Sequence, residues 1–159
     1  YVFIHTASKK NPVRRAGMKK AIFFMAILVA LICISQTEAK AGQFGELLIE
    51  LETSVFYSAQ SAEWRSRRDA WIADVRAAGD NVAALKRLLV EFETHLNFSA
   101  QAPQWRNRRA QWLQNVNRAS TIHDLAQQLI VCETAISYSA QAAAWRSRRP
   151  GWISRARAL

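Results

Sequence analysis

Three observations predict an all-α fold of three tandem helical hairpins. A 20-residue pattern occurs three times, at spacings of 41 and 40 residues, in a chain of 159. Within each copy the apolar residues fall at helical spacing, and no segment shows the sustained alternation of a strand. Helix-breaking and helix-capping residues stand between the copies. A repeat of about 40 residues is the size of a helix–turn–helix unit. The units are expected to pack as a short solenoid or as a compact six-helix bundle.

The pattern runs through residues 52–71, 93–112 and 133–152, and ten positions are identical in all three copies. It reads E-T-x-aliphatic-x-aromatic-S-A-Q-x-x-x-W-R-x-R-R-x-x-W. In the first helix of copy 1, Leu48, Leu51, Glu52 and Val55 share one face at i, i+3, i+4 and i+7. The second helices are placed near Ala62, Pro103 and Ala143, because proline is favoured at the first helical position. Trp64, Arg68, Trp71 and Val75 then line one face. Between copies 1 and 2, Gly79 can close a helix and Asp80 or Asn81 can open the next. Between copies 2 and 3, Ser120 or Thr121 can cap, with Asp124 in the following first turn. In copy 3, Pro150-Gly151 is expected to kink or break the second helix at Arg149. The repeats are therefore drawn at 42–80, 81–120 and 121–159, the third degenerate or truncated.

A different composition precedes them. Met18-Lys19-Lys20 is followed by an apolar run from Ala21 to Ile34 and small-residue sites ending at Ala39 and Ala41. This order describes a secretory signal peptide over residues 18–41, and the run is short for a membrane span of about 20 residues. Residues 1–17 read as an upstream extension. The expected location is secreted or periplasmic, with membrane attachment only through an uncleaved leader. After removal Cys132 is the sole cysteine and reads as a small buried hydrophobe.

The formal net charge is +10, from 22 Lys+Arg and 12 Asp+Glu. Residues 1–39 hold six of the basic residues and one acid, leaving 16 basic and 11 acidic residues from Lys40 onward. The basicity of the repeats is thus real but moderate. Half of the chain is hydrophobic, too apolar for a disordered protein.

Positions that recur in every copy are those the unit itself requires. The six tryptophans, Trp64, Trp71, Trp105, Trp112, Trp145 and Trp152, are assigned to the core, each pair spaced i, i+7. Glu52, Glu93 and Glu133 lie on the apolar stripe of the first helix. Arg68, Arg109 and Arg149 lie between the paired tryptophans of the second. Unpaired buried charges are too costly to place three times, so the expected ion pairs are Glu52–Arg68, Glu93–Arg109 and Glu133–Arg149. A Trp–Arg–Trp sandwich would accompany them. Arg65, Arg67, Arg106, Arg108, Arg146 and Arg148 flank that face and are the candidates for binding an anion or a partner. If the units stack in register, Arg65, Arg106 and Arg146 form a ladder, and Asp69 can neutralise Arg65 at i+4.

No metal-ligand spacing, Gly-rich phosphate loop or paired-carboxylate motif is present. His95 and His123 occupy non-equivalent positions with no matching acid or cysteine. A hydrolase would require a pocket joining one of them to a carboxylate and a serine. The sequence therefore reads as non-enzymatic, with no catalytic residue, metal or cofactor.

The unit E-x-x-aliphatic followed by W-R-x-R-R-x-x-W resembles the helical WSD-type motif of chromatin-remodeller accessory subunits. There a Leu-Glu-Glu helix precedes a Trp/Arg-rich helix. The likeness covers the 20-residue window of each copy. It implies protein–protein and DNA-proximal contacts through Arg65–Arg68 and their copies. Export disfavours a nucleic-acid partner. The function expected is thus an interaction or scaffold protein with a basic, Arg-lined face, the alternative being a module for nucleic acid or another polyanion.

Overall fold

The computed structural model describes residues 42–159. The expected leader and upstream extension, residues 1–41, lie outside the described residues. Six α-helices follow one another: α1 (Gln43–Ser54), α2 (Ala62–Ala78), α3 (Val82–Thr94), α4 (Trp105–Arg118), α5 (Ile122–Glu133) and α6 (Ala143–Arg157). A single 3-10 turn joins the helices of each hairpin, at Tyr57–Ala59, Phe98–Ala100 and Tyr138–Ala140. The fold is all-α, and no strand forms among the described residues.

Local chemistry sets the boundaries. Ser61 caps α2 by accepting from the Trp64 amide, and Asn81 caps α3 by accepting from that of Ala84. Thr121 and Asp124 form a reciprocal capping box at the start of α5. Gly79 ends α2 at φ +53°, a backbone conformation that costs a glycine little. Two boundaries differ from expectation. Pro103 does not open α4; the Trp105 amide reaches back to the Ala102 carbonyl in a turn, and the helix starts at Trp105. Pro150 does not break α6, which runs through it to Arg157. Pro150 faces solvent, so water can serve the carbonyl it frees. The buried Trp145 and Trp152 hold the helix on both sides of it.

The inner helices α1, α3 and α5 touch one another pairwise, and each outer helix packs on its own inner helix and on the next one. The last outer helix, α6, packs on α1, so these residues form a closed ring and not an open solenoid. The closing contacts repeat around the ring. The indole N–H of Trp71 donates to the Leu88 carbonyl at 3.0 Å. That of Trp112 donates to Gln128 at 2.9 Å, and that of Trp152 to Leu47 at 2.9 Å. Beside the turns, antiparallel bridges join Gln60 to Leu96, Gln101 to Ile136 and Gln141 to Val55. A contact made across 105 residues at the closure is the same contact made across 16 or 17 elsewhere.

All six tryptophans are buried, as are Phe44, Leu48, Leu51, Leu85, Leu89, Phe92, Leu125 and Leu129 from the inner helices. Each tryptophan removes about 150–250 Å² from water, an upper bound of roughly 4–6 kcal/mol of transfer free energy. Cys132 is buried and free, and burial pushes its thiol pKa up.

Pro150→Ala restores a helical N–H at a solvent-facing position. It is expected to raise the stability of the domain by about 2–3 kcal/mol, less what proline gains by stiffening the unfolded chain. Urea unfolding of the two proteins measures the difference. An unchanged midpoint would show that the helix already accommodates the ring without strain.

Candidate anion-binding face

Each hairpin is organised around a buried carboxylate. Glu52, Glu93 and Glu133 are at most 2% exposed. Glu52 accepts from Arg68 at 2.7 and 2.8 Å, from the Trp64 indole at 3.1 Å and from the Gln60 amide at 2.9 Å. Glu133 accepts from Arg149, Trp145 and Gln141 in the same arrangement. Glu93 accepts from Arg109 and Trp105, while Gln101 donates instead to the Leu96 carbonyl. These are charge-assisted, mostly bidentate bonds, stronger than neutral ones. Their effect on acidity is visible at Glu133. Burial raises its pKa, but the bonds from Arg149, Gln141 and Trp145 outweigh burial and hold it below the usual carboxylate value. Each arginine is shifted up by the carboxylate it holds.

The expected Trp–Arg–Trp sandwich does not form. The paired indoles meet each other directly, with centroids 5.2 Å apart in copy 1 and 5.4 Å in copies 2 and 3. The arginine between them in sequence turns its guanidinium to glutamate. It stays about one third exposed on its outer side.

The flanking arginines divide into two sets. Arg65, Arg106 and Arg146 are exposed, and each lies over an aromatic ring of its own 3-10 turn. The distances from guanidinium carbon to ring centroid are 4.7 Å to Tyr57, 3.4 Å to Phe98 and 3.5 Å to Tyr138. Those rings are themselves 55%, 62% and 63% exposed. The expected ladder is replaced by placement around one end of the ring, because the units close instead of stacking. At that end the three turns converge on a shallow depression of about 170 Å³, lined by Ser58, Ser99 and Ser139 and the alanines after them. Asp69 does not neutralise Arg65; it lies 3.9 Å from Arg68.

Arg67, Arg108 and Arg148 are not equivalent to one another. Arg67 is held by Glu91 at 2.7 Å and Asp74 at 2.6 Å, which removes it from the binding candidates. Arg108 makes no ion pair among the described residues. Arg148 lies 5.9 Å from the Trp145 ring centroid. Arg155 takes Glu50 as its partner across the closing junction.

Sequence reasoning missed the exposed aromatics. Tyr57, Phe98 and Tyr138 occupy the aromatic position of the pattern, and an aromatic before Ser-Ala-Gln in every copy was the available signal. Of the histidines, His95 Nδ1 meets Ser61 Oγ at 2.9 Å. That oxygen also accepts from the Trp64 amide, so the pair serves the start of α2. No group of three or more His, Cys, Asp or Glu residues suited to a metal occurs among the described residues. Nor is any helix among them long and apolar enough to cross a membrane.

Residues 79–147 match the family described as a domain of unknown function, DUF8799. The match runs from Gly79 at the end of α2 through α3, α4 and α5 into α6, less than half of the chain. No curated protein and no solved structure matches.

Two outcomes test the carboxylate cluster. Arg109→Met leaves the Glu93 carboxylate buried with only the Trp105 indole, and is expected to cost about 3 kcal/mol. Glu93→Leu leaves that indole unpaired and a guanidinium that can turn to water, and is expected to cost about 2 kcal/mol. The double variant should cost clearly less than the sum in a double-mutant cycle by urea unfolding. Additive effects would dissolve the pair as an energetic unit.

The second outcome is pH-dependent. Because the folded pKa of Glu133 lies below its unfolded value of 4.5, its contribution is fully present above that value. It is lost as pH falls through the folded pKa. The stability gap between the wild type and Glu133→Gln should thus stay constant above about pH 5.5 and close below pH 4.5. A gap that widened in acid would reverse the sign of the assignment.

Proposed function

We propose that this domain is an exported, non-catalytic helical interaction module that binds anionic groups through the ring end carrying Arg65, Arg106 and Arg146. The observation that carries this reading is the threefold recurrence of an exposed arginine over an exposed aromatic. A cation backed by an aromatic face is ordered in advance, and its N–H edge remains free for phosphate, sulfate or carboxylate. The core does not require this arrangement, since the buried tryptophans and ion pairs already hold each hairpin together. Large exposed aromatics with no packing role favour a contact surface. The resemblance to a protein- and DNA-proximal Trp/Arg motif agrees with this surface through Arg65, Arg106 and Arg146. It does not carry over to Arg68, Arg109 and Arg149, which are committed to glutamate.

A polyanion is the natural probe, because three separated cations favour a ligand that repeats its charge. Nucleic acid is the second reading, supported by the same face and disfavoured by the leader. Replacing Arg65, Arg106 and Arg146 together with glutamine should change stability by no more than about 1 kcal/mol per site. Retention on heparin should fall sharply. On short single-stranded DNA, the slope of log affinity against log salt should drop by about 2, at roughly 0.7 per lost phosphate contact. Wild-type protein that shows no retention on heparin, or a triple variant that is retained equally, would defeat the proposal.

A further inference from the structure

The three junctions of the ring share one frame and differ in charge. At the α2–α3 junction Arg67 is filled on both sides, by Glu91 from α3 and Asp74 from its own helix. At the α6–α1 junction the corresponding acid is Glu50, which receives Arg155. At the α4–α5 junction the arginine is kept as Arg108, but the two acid positions hold Val131 and Asn115. A groove of about 240 Å³ lies there, and Arg108, Asn115, Val131 and Gln128 all line it with Trp112. Gln128 adds a second signal. Its side-chain Oε1 is buried and has no hydrogen-bond partner among the described residues. A buried acceptor left unpaired is unfavourable, so a donor that reached it would be bound favourably.

We infer that the α4–α5 groove is a binding site for a small carboxylate carrying a neighbouring N–H donor, the chemistry of a free α-amino acid. The ligand carboxylate takes the place that Glu91 fills beside Arg67, and pairs with Arg108. Its ammonium group lies toward Gln128, whose Oε1 must turn from its buried position to accept from it. Asn115, whose Oδ1 accepts from the Gln111 amide at 3.0 Å, supplies a further polar wall. The indole of Trp112 closes the floor, its N–H already committed to the Gln128 carbonyl. The volume suits a single small molecule. The site is separate from the aromatic-backed arginines at the end of the ring and does not rest on the reading given to them.

The experiment is calorimetric titration of the domain with three probes: L-serine, acetate and ethanolamine. Saturable binding is expected for serine, with acetate and ethanolamine each weaker by roughly tenfold or more, since each lacks one of the two groups. Val131→Glu rebuilds the internal partner found at Glu91. It should abolish serine binding while leaving the melting temperature equal or higher. Arg108→Gln should weaken serine roughly tenfold without loss of fold, because the residue is exposed and makes no ion pair among the described residues. Both folded variants leave Arg65, Arg106 and Arg146 intact, so heparin retention falls far less than in the triple arginine variant. No saturable serine binding, equal affinity for acetate and serine, or binding that survives Val131→Glu would overturn the inference.

Discussion

The structure turns on three carboxylates that are out of water. A buried, ionised glutamate is tolerated only when its oxygens are filled, and each of Glu52, Glu93 and Glu133 is filled from the second helix of its own hairpin. That demand fixes the geometry of the hairpin. The arginine must stand four residues after the tryptophan whose indole shares the same oxygen, which is the spacing that puts both on one helical face. With the first tryptophan held by glutamate, the second packs edge-on against it and points its own N–H outward. The next inner helix supplies the carbonyl it meets. A local ion pair thereby determines a contact between hairpins, and three such contacts close the ring.

Closure also explains why the turns are exposed and crowded with polar groups. The three inner helices run side by side and deliver their C-terminal ends to the same place. The 3-10 turns then meet around one depression, satisfying each other's backbone. The Phe56 amide donates to Ala140, that of Asn97 to Ala59 and that of Ser137 to Ala100. With these backbone groups paired across the ring, the aromatic side chains of the turns are left on the outside, where arginines from the first turn of the outer helices reach them.

Much of this could be read from the amino-acid order. The pairing of Glu93 with Arg109 follows from stripe positions and the cost of an unpaired charge, and burial of the six tryptophans follows from their spacing. Ser120 or Thr121 with Asp124 in the following turn announces a helix start, and the structure places the cap on Thr121 as a capping box. What could not be read depends on closure. Periodicity along the chain is identical for a solenoid and for a ring, because nothing local states that Trp152 meets Leu47. The partner of Arg155, Glu50, follows from that closure and was equally hidden. Pro150 misled because its cost was assessed in isolation; tertiary contacts from Trp145 and Trp152, on the same helix, outweigh it. The sandwich failed for a related reason. Arginine can satisfy an indole face or a buried carboxylate, and the carboxylate has far more to lose if left alone.

Differences among the copies bear on function more than their agreement does. Beside Arg65, copy 1 carries Glu63 and Asp69. The same positions hold Gln104 and Ala110 in copy 2, and Ala144 and Pro150 in copy 3. The field at the turn end is therefore more positive beside copies 2 and 3 than beside copy 1, and an anion bound there as proposed would be drawn first toward Arg106 and Arg146. These are also the two arginines seated closest to their rings, at 3.4 and 3.5 Å against 4.7 Å for Arg65. Nearby acids and looser seating coincide at Arg65, and neither acid forms an ion pair with it among the described residues. A nearly symmetric frame thus carries an asymmetric charge, and the asymmetry would give the proposed ligand on that face one preferred side.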